Sequence, residues 1–223
     1  MNKHMDEKII AMIREAEEEE GAAAAAAGDT AEATEEEKKT PMQQGLELVQ
    51  QPFVQVGSEL VPLEDRLILE DRVRIRMPKL FHIMPPEVAK IKYASERRPN
   101  LIYTDDSTSV NLAFTHSASL LNDEEMGQFT ELIVQMLKRT QQGARWLGQG
   151  VIPVGGREVG YCACTLPVLD SDLYQLMFFI SLEDRALLCT FNCLAKDRQK
   201  WEQLALGMMQ TLRIMETREE DEG

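Results

Sequence analysis

No apolar run in this chain approaches the roughly 18 residues that a membrane span requires. Charges bracket the one N-terminal apolar cluster, I-I-A-M-I at 9–13, so it lacks the continuous apolar core of a secretory leader. A protein with no membrane span, working in the cytoplasm, is the expectation. Histidine is scarce: His4, His82 and His116 are the whole supply for acid–base work near neutral pH. Phosphate-cradling glycine loops are missing too. G-Q-G at 148–150 and V-G-G-R at 154–157 lack the strand–loop–helix grammar that turns amides toward a phosphate, and the second reads as a hairpin turn.

A basic excess is also absent. Of the formal net charge of −14, residues 1–65 hold 5 basic and 16 acidic side chains and residues 217–223 hold 1 and 4. Residues 66–216 carry 18 of each sign, so the acidity belongs to the ends and the remainder is balanced. Without a basic footprint to neutralise phosphates, nucleic-acid binding is not expected. The four cysteines, Cys162, Cys164, Cys189 and Cys193, sit inside apolar strand sequence and not on turns. C-x-C on an extended strand holds two sulfurs about 7 Å apart, too far to share one zinc, so they read as core and no metal or cofactor is expected. His116 ends a strand beside S-A-S, but serine is common at strand ends and no orienting carboxylate is placed by the sequence. No catalytic residue is assigned and an enzyme is not expected.

What is present is organised around 159–215. V-G-Y-C-A-C-T-L, L-Y-Q-L-M-F-F-I and A-L-L-C-T-F-N-C-L read as three strands apolar on both faces. Hairpin-linked strands of that kind are antiparallel and need cover on both sides. The cover expected is two long helices. One is predicted at 123–140, with Asn122 as N-cap, Glu125 at N3 and Leu121 stapled to Met126. The other is predicted at 196–215, with the stripe Trp201, Leu204, Ala205, Met208, Leu212 and Met215. Methionines on these helices read as core filler. R-V-R-I-R-M-P at 72–78 alternates strictly, with Val73, Ile75 and Met77 inward; 100–104, 110–116 and 145–154 give further strands. Gly155-Gly156 is a two-residue turn, and P-F-V-Q-V-G-S-E-L-V-P is a hairpin around Gly57-Ser58, suited to a type II′ turn and made either an edge or an outlier by its flanking prolines. L-E-D-R recurs at 63–66, 69–72 and 182–185 as a lead-in to strands, without the regular spacing of a repeat array.

Residues 1–45 are expected to be an acidic, mostly disordered extension carrying a short amphipathic helix at 5–20, with Met5, Ile9, Met12, Ile13 and Ala16 on one face. That segment is either a frayed tail or a helix laid in a partner's groove, with Met5, Ile9, Met12 and Ile13 as the docking residues. Residues 46–70 are expected as linker or edge strands, 71–215 as the globular domain and 216–223 as an acidic tail.

The order of elements resembles the PsbP-like superfamily, which includes an extrinsic photosystem subunit, a Ran-binding import factor and chaperones of type VI secretion effectors. The residues that carry the resemblance are R-I-R-M-P at 74–78, R-P-N-L-I-Y at 98–103, V-N-L-A-F at 110–114, the capped helix from Asp123 and the closing helix with Trp201. The resemblance spans about 70–215 and implies an α+β fold, a largely antiparallel sheet covered by two long helices, and non-catalytic binding roles. The function expected is a protein-interaction, adaptor or chaperone-like module with a protein partner. The alternative is a binder of a small apolar ligand or lipophilic segment between sheet and helix.

Overall fold

The computed structural model describes residues 39–93, 95, 98–168 and 171–215. The chain divides into two units, 1–39 and 40–223, and the second holds all the elements below. Residues 1–38 of the expected acidic extension, with its helix at 5–20, and the tail from 216 lie outside the described residues.

The compact unit begins at Thr40, inside the stretch 1–45 expected to be mostly disordered, and that expectation is corrected for 41–45. T-P-M-Q nucleates a helix there, α1 (Pro41–Gln50). The Thr40 hydroxyl accepts from the Gln43 amide at 3.3 Å, the Gln43 side-chain oxygen accepts from the Thr40 amide at 2.8 Å, and Pro41 occupies the first turn. Three strands follow in hairpin order, β1 (Phe53–Val56), β2 (Glu59–Ile68) and β3 (Val73–Pro78), and then the two-residue β4 (His82–Ile83), which pairs elsewhere. Gly57 has φ +61° with Ser58 on the negative side, the asymmetry of a type II′ turn. Residues 46–70 thus form the end of α1 and two strands. Pro62, inside β2, faces β3 at the end of its ladder: its carbonyl accepts from Lys79 N at 2.8 Å, the reciprocal bond is missing for want of an N–H, and the Lys79 carbonyl accepts from the Arg66 guanidinium at 2.9 Å instead.

The rest of the chain is α2 (Pro86–Lys92), β5 (Leu101–Thr104), β6 (Asn111–Leu120), α3 (Met126–Thr140), β7 (Arg145–Val154), β8 (Arg157–Val168), β9 (Ser171–Leu182), β10 (Arg185–Leu194), a short 3-10 turn, α4 (Arg198–Gln210) and β11 (Arg213–Ile214). Two sheets result. The larger has the order β4-β5-β6-β10-β9-β8-β7 and the smaller β1-β2-β3-β11, and every pairing is antiparallel. Gly155 and Gly156 both take positive φ in the β7–β8 turn, and so do Glu183 and Asp184 between β9 and β10.

The expected cover by two long helices is corrected. The helices have 10, 7, 15 and 13 residues, and one face of the large sheet is covered by the other sheet together with α4. On that face Phe114, Phe178, Cys189 and Phe191 pack with Ile75 and Met77 of β3 and with Trp201, Leu204 and Met208 of α4. On the opposite face α3 lays Met126, Phe129 and Ile133 over Cys162 and Phe179, while α2 covers Ile102 and Ala113 with Ala89. β10 is two-sided only in part: Thr190 and Asn192 alternate outward and are half-buried.

Two helix ends differ from the expected ones. Asn122 does accept from the Glu125 amide at 2.9 Å, and Leu121 and Met126 share a cluster, but α3 starts after that turn, at Met126. The closing helix stops at Gln210 and not 215. The Thr211 hydroxyl donates to Met208 O at 2.7 Å and accepts from the Arg76 amide at 3.0 Å, so the chain leaves the helix bound to β3 and continues along it as β11.

Candidate interaction surface

Strand parity separates the residues that chemistry would need together. Cys162 and Cys164 lie opposite Met177 and Gln175, on the side of the sheet under α3. Cys189 and Cys193 lie opposite Phe178 and Tyr174, on the other side. The sheet itself therefore stands between the two pairs, and among the described residues no group of three or more metal-capable side chains converges. Burial pushes the Cys162 and Cys193 thiols up to about 12, Cys162 further through its neighbour Cys164 and Cys193 through Asp197 and Glu202. Burial also raises Cys164 and, well above the usual range, Cys189. A thiolate nucleophile is disfavoured at all four.

The sign of the pH effect follows. Unfolded thiols ionise near pH 9 while the folded ones hold their protons to about 12, so this contribution to stability is full below pH 9 and declines from there to 12. The same shifts set an expected labelling result. At pH 8 a thiol probe reacts with all four cysteines of urea-unfolded chain long before it marks any in native chain. One fast native cysteine would reopen thiol chemistry.

His116 is turned inward by its strand. Its Nε2 lies 3.0 Å from the Leu182 carbonyl oxygen, and its amide donates to the Asn100 side-chain oxygen at 3.0 Å. The buried Ser181 hydroxyl donates to Leu121 O. His116 thus makes a structural bond between β6 and β9. The space between sheet and α4, where an apolar ligand was expected as the alternative, is filled by rings: Trp201 stacks on Phe81 at 5.8 Å and meets Phe191 at 6.2 Å. A dent outside α4 is lined by Lys196, Arg198 and Glu202, but the two faces of its charge neutralise each other through the Arg198–Glu202 pair at 2.8 and 2.9 Å.

The surface that stands out is the β1–β2 hairpin. Its register sets Phe53 opposite Pro62 and Gln55 opposite Leu60, while Val54, Val56 and Val61 turn into the core. Phe53 and Leu60 are left on one outer face with Pro62 between them, 51% and 65% exposed. Isolated exposed apolar side chains, such as Ile91 and Leu120, need no account. Two bracketing a proline beside a sheet edge do. Sequence reading made this hairpin an edge or an outlier but missed the patch. The signal was there in the alternation, since placing the valines inward forces Phe53 and Leu60 out. The docking residues proposed from sequence, Met5, Ile9, Met12 and Ile13, lie outside the described residues. Among the described residues no helix is long and apolar enough to cross a membrane.

No family model and no curated protein matches the chain. Among solved structures it is similar to cyanobacterial PsbP (CyanoP) from Synechocystis, with a TM-score of 0.52 at 12% identity, over 73% of this chain and 98% of that one. It is also similar to LpqN of Mycobacterium tuberculosis, involved in cell envelope biogenesis (0.44, 11%, 72% and 95%). A third is the type VI secretion immunity protein TplEi of Pseudomonas aeruginosa (0.39, 12%, 80% and 86%). At 12% identity the likeness to CyanoP speaks for the fold alone. The chain has the PsbP-like fold.

Proposed function

We propose that this chain is a non-catalytic protein-binding module, an adaptor that meets a protein partner on the outer face of the β1–β2 hairpin. The observation that carries it is the pair Phe53 and Leu60, more than half exposed on one face of a hairpin whose other face already completes the core. Burying such a pair would release about 25 cal/mol per Å² of apolar surface, and nothing within the described fold uses it. Aromatic and aliphatic anchors on a rigid element beside a sheet edge suit recognition of another polypeptide. The buried, high-pKa thiols and the inward His116 agree with a binding role.

The test is a pair of charge substitutions, Phe53→Glu and Leu60→Glu, in the full chain. Both side chains face solvent, so unfolding midpoints should stay close to wild type, within about 0.5 kcal/mol. Partners recovered from native lysate with wild type should be lost with the double variant. Recovery of the same partners by the double variant would remove the hairpin as the binding face.

A further inference from the structure

We draw no further inference here: the strongest candidate, the half-buried strip of Leu188 and Thr190 on β10 and Met177 on β9 that lies between α2 and α3 on the large sheet, is an unpartnered sheet face, and nothing in the structure shows what covers it.

Discussion

Trp201→Ala should destabilise the fold by about 3–5 kcal/mol, the range for truncating a buried aromatic, because both the lost transfer free energy and the residual cavity count. Trp201 is 8% exposed and is the residue through which α4 meets both layers beneath it. Its ring stacks on Phe81 from the β3–β4 connection, at 5.8 Å with 28° between planes, and tilts over Phe191 of β10 at 6.2 Å. Removing it takes a partner from the smaller sheet's flank and from the larger sheet together, so neither side can collapse into the space without moving the other. Trp201→Phe keeps a ring there and should cost about half as much or less. Urea unfolding at pH 7 measures both. A loss below about 1 kcal/mol for the alanine variant would mean that α4 is not seated on the sheet through this residue.

How much of this was legible in the sequence depended on whether a local rule or a distant partner decided the outcome. Val73, Ile75 and Met77 read correctly because strict alternation is a property of one strand, and all three are fully buried. Gly155-Gly156 and Gly57-Ser58 read correctly because positive φ is a property of one residue. α1 was lost to composition: a polar, glycine-bearing stretch looks like linker unless the Thr40–Gln43 capping box is given weight over it. The end of α4 was lost to a long-range partner. Leu212 continues the helical spacing of Trp201, Leu204 and Met208, and it is buried, but pairing of Arg213 and Ile214 with β3 outweighs helix propensity there. The small sheet's place over the large one had no local signature, so two helices were expected to do all the covering. The patch at Phe53 and Leu60 was half legible: parity put them outward, but only the sheet order shows that β1 ends a sheet.

Gly207→Ala should destabilise by about 2 kcal/mol or more, although the same exchange in an unconstrained helix stabilises by up to about 1 kcal/mol. The reason lies in how α1 crosses α4. A Cβ on Gly207 would stand 2.3 Å from the Gly45 carbonyl oxygen and 2.6 Å from a Val49 methyl; one on Gly45 would stand 2.3 Å from the Gln203 carbonyl oxygen. The helices touch backbone to backbone, and the atoms in the way are main chain, which cannot rotate aside as a side-chain tip can. α1 must lift by about 1 Å to reach ordinary contact, and Val49 loses its packing in the core as it does so. Gly127→Ala is the control, since a Cβ there, in the first turn of α3, meets nothing within 4 Å. It should leave stability unchanged or raise it by up to about 1 kcal/mol. If both variants stabilise in urea unfolding, the two helices are not held at this crossing. If only Gly127→Ala does, the consequence extends to β1, which follows α1 after Gln51 and Pro52. Lifting the helix loosens the strand behind it, so exchange at the ladder amides of Val54 and Val56 should quicken in Gly207→Ala. That ties the position of the exposed hairpin to a pair of glycines on the helices beside it.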